Sequence, residues 1–224
     1  FYEPCAPVIK DLLLKSKSNS AVELCAGGGG GIMKMLDYLK AIGCSPNITL
    51  TDLYPNTSTW GKLKSSSEQI DFSNESVNAL QVPTSIQGLR LMFSAVHHFK
   101  PEQVKAMIQD AIEKKASFAF FDSGTTNLLT IPGILLMEPI TFILLTPFFK
   151  PFRWSRLFFT YIIPLIILCT MWDGSISVLR FYSLKELKAI VEELKTEDYI
   201  LKAGEVKNKL GIKVNYISGY PITR

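Results

Sequence analysis

The stretch that most limits this chain's fold is V-E-L-C-A-G-G-G-G-G-I, residues 22–32. A short apolar run, Ala21–Leu24, ends in five consecutive glycines, Gly27–Gly31. Ile32, Met35, Leu36 and Leu39 then follow at helical spacing. Strand, glycine turn and helix form the first unit of a parallel α/β sheet. Glycine lets a backbone pass close under a ligand, because no side chain blocks the approach. A turn that opens a helix also points free N–H groups at that ligand.

The rest of the chain continues the alternation. Residues 8–15 predict a short amphipathic helix, Ile48–Thr51 a second strand ending at Asp52, and Leu89–Val96 a buried strand. The polar, Ser-rich residues 55–69 predict a loop with at most a poor helix, followed by the short apolar piece Ile70–Phe72. Pro101–Lys114 is a helix with Pro in its first turn, and Ser117–Phe121 a strand ending at Asp122. Ser183–Leu194 is a helix with a capping box, Ser183 with Glu186. Residues 198–203 and 212–218 read as two closing strands. With no internal repeat, residues 1–224 read as one domain carrying one insert, residues 128–172.

Two nucleotide-binding patterns fail at the glycines. The dinucleotide fingerprint GxGxxG/A needs a small sixth residue, but counting from Gly27 or Gly28 reaches Ile32 or Met33. The phosphate loop fails because no Lys-Ser or Lys-Thr follows. The residues instead resemble class I S-adenosylmethionine (SAM)-dependent methyltransferases, whose pattern is [D/E]xGxGxG. Glu23, Cys25, Gly27 and Gly29 occupy those places, with Cys25 standing for the first glycine. The resemblance implies SAM as cofactor, with Glu23 near its methionine part and the Cys25-Ala26-Gly27 backbone beneath it. Asp52 would accept from the ribose hydroxyls, with Leu53 and Tyr54 flanking the adenine. Asp71, beside Phe72, would lie near the adenine amino group. The segment LRLMFSAVHHF would bring Ser94 to the cofactor and His97 and His98, the only histidines, to the acceptor side. The implied fold is a Rossmann-like three-layer sandwich, its mostly parallel seven-stranded sheet ending in an antiparallel strand.

Either histidine could take a proton near neutral pH from an attacking hydroxyl. Either could equally line the pocket, because a sulfonium needs little help beyond alignment. Two adjacent histidines without a third ligand argue against a metal site. Cys25 reads as a small core residue.

Residues 128–149 hold three prolines and one charge, Glu138; residues 157–171 hold no charge. The link between them, KPFRWSR, carries Lys150, Arg153, Arg156 and Trp154. A spanning hairpin would send those cations across the membrane, against the positive-inside tendency. An in-plane or shallowly embedded helical pair fits better, with Trp154 among the headgroups. A dry lid over the site or a dimer interface is the other reading. Additions at this position in the resembled family build the acceptor lid, which implies a small hydrophobic or lipid-like acceptor at a membrane surface. Arg180, just past the insert, either binds an acidic group of the acceptor or makes a local salt bridge.

Mean hydropathy of +0.20 agrees with a concentrated apolar segment, and a net charge of +4 is too small to argue for nucleic acid. The four cysteines form no close pair, which suggests a reduced compartment, on the cytoplasmic side of a membrane. The chain opens at Phe1 rather than Met, so targeting is not legible there. Two rivals stand beside the methyltransferase reading: a non-catalytic SAM-binding membrane scaffold or sensor, and a nicotinamide oxidoreductase.

Overall fold

A computed structural model describes residues 2–124, 127–150, 152–208 and 211–222. It divides into two compact units, residues 1–123 with 182–224, and Gly124–Phe181.

In the first unit, α1 (Ala6–Lys15) leads into β1 (Ser20–Glu23), and the glycine turn into α2 (Ile32–Ala41). Then come β2 (Asn47–Leu50), α3 (Thr57–Ser66), β3 (Ile70–Phe72), β4 (Leu89–Phe93), α4 (Pro101–Glu113) and β5 (Phe118–Asp122). The seven-stranded sheet has the order β3-β2-β1-β4-β5-β7-β6, where β6 is Tyr199–Lys207 and β7 is Lys213–Pro221. The first five strands are parallel, and β7 runs antiparallel to both β5 and β6.

Alternate strand residues point to opposite faces and bury two cores. On one face Ala21, Ile48, Leu91 and Phe121 pack with Ile9 and Leu12 of α1 and Met35 and Leu39 of α2. On the other, Val22, Met92, Phe118 and Phe120 meet Val104, Met107 and Ile108 of α4 and Ile190 of α8 (Leu184–Glu193). The α/β class, the three layers, the seven strands and the antiparallel final strand all match the expectation.

Three local readings change. Residues 55–69 do fold into a helix, α3. Asn56 caps it by accepting from the Thr59 N–H, and Trp60 is fully buried. Burying so large a side chain is worth on the order of 3 kcal/mol, enough to override a Ser-rich composition with weak helix propensity. The strand read as Leu89–Val96 stops at Phe93, and a 3₁₀ turn, Val96–His98, takes over. The closing strands are nine residues each, because a long antiparallel hairpin satisfies its backbone by self-pairing.

The second unit holds α5 (Thr130–Leu145), extended by a 3₁₀ turn to Phe148, then α6 (Trp154–Leu157), a π-helical turn at Phe158–Ile162 and α7 (Leu165–Arg180). α7 runs past residue 172, where the insert was expected to end, and includes Arg180. Gly174 lets α7 approach α5 closely: a Cβ there would lie 2.8 Å from Glu138 Oε1 and 3.1 Å from Ile134 Cγ2. The unit's ends also meet, since a Cβ on Gly124 would lie 2.2 to 2.3 Å from three atoms of the Phe181 ring. No residue of α5 is buried. Thr130–Phe148 is long and apolar enough to cross a bilayer, and Trp154–Ile162 with Leu165–Arg180 forms a second apolar stretch bent by 77° at its break.

Candidate functional site

The strand order reverses direction between β1 and β4. Connections leave those two strands on opposite sides, which opens a crevice at their C-terminal ends. Most of the residues singled out in the sequence lie along that edge.

Glu23 is the last residue of β1 and is 7% exposed. Its carbonyl accepts from Thr51 N–H at 2.9 Å and from Thr51 Oγ1 at 2.8 Å, which locks β1 to the end of β2. Its carboxyl Oε2 is buried without a hydrogen-bond partner. Burial alone pushes the carboxyl up to about 8 from its ordinary 4.5.

Beyond Glu23 the backbone takes left-handed conformations at Cys25 (φ 55°), Gly27 (φ 51°) and Gly29 (φ 67°), the three alternating small positions of the motif. Cys25 adopts the conformation a glycine would hold there. Its thiol is pushed up to about 12, chiefly by burial and then by Asp52 and Glu23, so it is no nucleophile near neutral pH. Ala26 N–H donates to the Thr51 carbonyl at 3.0 Å. The Trp60 indole N–H donates to the Gly27 carbonyl at 3.0 Å, so α3 props the turn from below. At Gly29 a Cβ would come within 2.7 Å of Leu63 and 3.1 Å of Leu50, whereas at Gly28, Gly30 and Gly31 it would meet nothing. Glycine is thus favoured at Gly29 first by its left-handed backbone and then by the crowding of two leucine tips, and Gly28, Gly30 and Gly31 leave open backbone.

Asp52 follows β2. Its Oδ2 accepts from Gly27 N–H at 2.8 Å and its Oδ1 from Tyr54 N–H at 2.9 Å. Each oxygen keeps further acceptor capacity for a hydroxyl. Leu53 and Tyr54 beside it are 46% and 82% exposed, an apolar rim next to the carboxylate.

Asp71 does not join this cluster. The register sets it beside Thr49, three positions short of Asp52, and its carboxylate is closed on Lys64 at 2.8 Å. That hydrogen bond, with one from the Phe72 N–H, lowers its pKa. Phe72 is half-buried, 6.1 Å from the Trp60 ring. Ser76 and Val77 come nearer, bonding to the carbonyls of Leu53 and Asp52 at 2.6 and 2.9 Å.

Ser94 (φ 52°) hydrogen-bonds the Tyr2 hydroxyl, which also accepts from Ser123 N–H at 3.2 Å. Tyr2 therefore ties the ends of β4 and β5 together, its ring 5.1 Å from that of Phe93. Tyr2, Lys34, Tyr38, Ser94 and Ser123 line a cavity of about 420 Å³ that reaches the glycine turn at Gly31.

His97 and Asp122 are both buried. Asp122 accepts from His97 N–H at 2.8 Å and lies 2.9 and 3.0 Å from Nδ1. A carboxylate in that position favours the tautomer that carries its proton on Nδ1. His98 is exposed, its ring 4.2 Å from that of His97. Among the described residues no group of three or more His, Cys, Asp or Glu could hold a metal ion.

The residue pattern gives His97 no partner and marks neither Trp60 nor Tyr2 as part of the site. Asp122 was visible as the acid ending a strand, but its distance of 25 residues from His97 hid the pair. For Trp60 the signal was Asn56, a capping residue three positions before Thr59. Tyr2 had no signal at all.

No protein-family model and no curated protein matches the sequence. Solved structures match at the level of fold. An O-methyltransferase family protein from Burkholderia thailandensis is 11% identical with a TM-score of 0.54, over 99% of this chain and 56% of that one. A SAM-dependent methyltransferase from Aquifex aeolicus is 11% identical at 0.52, covering 97% and 91%. Magnesium protoporphyrin IX methyltransferase from Synechocystis, with S-adenosylhomocysteine bound, is 9% identical at 0.51, covering 99% and 83%. A structure from Rhodobacter sphaeroides described as putative zinc-dependent alcohol dehydrogenases matches comparably, 12% identical at 0.52. The chain spans about half the length of the larger methyltransferases it resembles, 50% of mitomycin 7-O-methyltransferase for one. It has the class I methyltransferase fold.

Proposed function

We propose that the chain is a SAM-dependent methyltransferase acting on a small, hydrophobic or lipid-like acceptor at a membrane surface. The observation that carries the reading is Glu23: a buried carboxyl with an unpartnered oxygen, at the tip of β1 beside open glycine backbone. A buried acid in want of a partner suits a cationic ligand, and SAM brings both an ammonium and a sulfonium. A dinucleotide offers a diphosphate, which brings no cation to Glu23. Asp52 supplies paired acceptors for a ribose diol, and Leu53 and Tyr54 supply apolar surface for a base.

SAM supplies an activated methyl group, so the protein's work is to align, desolvate and manage one proton. Glu23, the backbone of residues 25–29 and Asp52 hold the cofactor, with Ser94 at the next strand end. His97, held by Asp122 at Nδ1, is the residue that would take a proton from an attacking hydroxyl. His98 is a lining residue.

The membrane half of the reading is supported by the second unit. Only 6% of the apolar window in Thr130–Phe148 is buried, which a core helix of a soluble protein would not tolerate. Phe148, Trp154, Ile162 and Trp172 are between 71% and 78% exposed. Lys150 and Arg153 lie between the two apolar stretches and Arg156 in the first turn of the second, suited to anionic headgroups on the cytoplasmic side.

Isothermal titration with SAM, S-adenosylhomocysteine and NAD tests the cofactor. Binding of NAD alone would remove the reading, and SAM binding without methyl release across a lipid-extract screen would favour a scaffold or sensor. Pelleting with anionic liposomes tests the second half: deletion of 128–171 should abolish it, and unchanged partitioning would reject membrane contact.

A further inference from the structure

The cavity of about 420 Å³ beside Gly31 has the size of a small-molecule site and a one-sided lining. Lys34 is its one charged residue, and no acid lines it. Tyr2, Tyr38, Ser94 and Ser123 add four hydroxyls, while Met35 and the two tyrosine rings add apolar wall. Of the residues assigned above to the cofactor, Ser94 alone borders it.

The fold brings these groups together from three elements. Lys34 and Tyr38 stand one helical turn apart on α2 and share a face. Ser94 and Ser123 directly follow β4 and β5, which are parallel neighbours, so both lie at the C-terminal edge of the sheet. Tyr2 bridges them, its hydroxyl bonded to Ser94 and accepting from Ser123 N–H at 3.2 Å. That leaves the Lys34 ammonium, the Tyr38 hydroxyl and the Ser123 hydroxyl with no hydrogen-bond or ion-pair partner among the described residues. Lys34 is exposed, and Tyr38 and Ser123 are half-buried, so a guest in the cavity reaches all three.

The balance of charge selects that guest. One ammonium without an acid favours one negative charge. A second negative charge would find no cation, and a positive guest would meet like charge. A carboxylate accepts several hydrogen bonds at once, which suits two hydroxyls beside an ammonium. Met35 and the tyrosine rings offer contact to a chain or ring. Ser123 is next in sequence to Asp122, which holds His97, so the cavity borders the pair assigned to the acceptor's proton.

We infer that this cavity seats the acceptor, and that the acceptor is an amphiphile carrying a single carboxylate, selected by Lys34, Tyr38 and Ser123. The inference rests on the methyltransferase reading and narrows its substrate class.

Octanoate and octylamine, alike in chain and opposite in charge, test it on the full chain saturated with S-adenosylhomocysteine, which houses the cofactor's own carboxylate first. Binding is read on the isotope-labelled methyl resonance of Met35, which reports on this cavity rather than on the apolar second unit. A saturable shift with octanoate, at a Kd of about 1 mM or tighter, is expected, with none from octylamine. Lys34→Met should weaken octanoate roughly 10-fold, and Lys34→Glu should abolish its binding and admit octylamine. Both variants change an exposed side chain and should keep the fold and the affinity for S-adenosylhomocysteine. Equal octanoate affinity in wild type and Lys34→Met would overturn the site. So would a loss of S-adenosylhomocysteine affinity of about 10-fold or more in Lys34→Met, which would give the lysine to the cofactor's carboxylate. If the wild type binds no S-adenosylhomocysteine, the methyltransferase reading falls, and the same titration of the bare chain decides the anion site: lysine-dependent octanoate binding upholds it, and lysine-independent or absent binding overturns it.

Discussion

Replacing Glu23 with Gln (E23Q) keeps the shape of the side chain and removes its charge. In the folded protein the carboxyl sits at about 8, against 4.5 for the free group, and desolvation is the cause. A raised carboxyl binds its proton more tightly in the folded state than in the unfolded one. Its contribution to stability is therefore full below the unfolded pKa and falls away as pH rises toward the folded one. Each pH unit in that window costs up to about 1.4 kcal/mol, and between about pH 6 and about pH 8 the wild type loses roughly 2 kcal/mol through this group. In E23Q that loss is absent. Urea unfolding of both proteins at the two pH values isolates the effect, because other titrating groups cancel in the difference of differences. The same residue makes a prediction for binding. A cation beside Glu23 favours the carboxylate, so SAM should release close to one proton on binding at neutral pH, visible as a dependence of titration heat on the buffer's ionisation enthalpy. Identical pH dependence in wild type and E23Q, together with no proton release, would refute the argument that this acid awaits a positive ligand.

Gly29→Ala and Gly28→Ala should separate folding from binding. The first adds a left-handed penalty of about 1–2 kcal/mol and crowds Leu63 and Leu50 for about 1–3 more, read as a lower urea midpoint. The second meets no neighbour and should leave stability within about 0.5 kcal/mol while weakening SAM binding, measured by calorimetry. Asp52→Ala should lower SAM affinity by about 10-fold or more, since it removes the ribose acceptors and the anchor of Gly27 N–H; unchanged affinity would take the cofactor away from this edge. His97→Ala and Asp122→Asn should each slow methyl transfer by about 10²-fold or more on the acceptor found in the lipid-extract screen, with SAM affinity retained. Full rates in both would leave alignment alone as the catalytic device.

The sheet was legible because each of its parallel strands is a short apolar run closed by an acid or a serine. Glu23, Asp52 and Asp122 mark the ends of β1, β2 and β5, and in a parallel sheet those ends share one edge. Asp71 also sits in an apolar run, but within β3 rather than after it, where its carboxylate pairs with Lys64. Composition hid α3, since its stability comes from one buried Trp and one cap rather than from average propensity. The His97–Asp122 pair and the Tyr2 bridge depend on which strands become neighbours. That information lies in the three-dimensional order β1-β4-β5 and in no local stretch of residues.

Cys25 and Ser94, each just past the end of a crevice strand, are held in a conformation that every side chain except glycine's resists. Each carries a torsional load of about 1–3 kcal/mol. An engineer seeking a hardier protein would be drawn to both positions, because glycine there relaxes the backbone and costs little packing. The same change would release two pegs that keep the rim from shifting before a guest arrives. Melting temperature and affinity should therefore move in opposite directions at these two sites, and a screen on heat resistance alone would select for a looser grip.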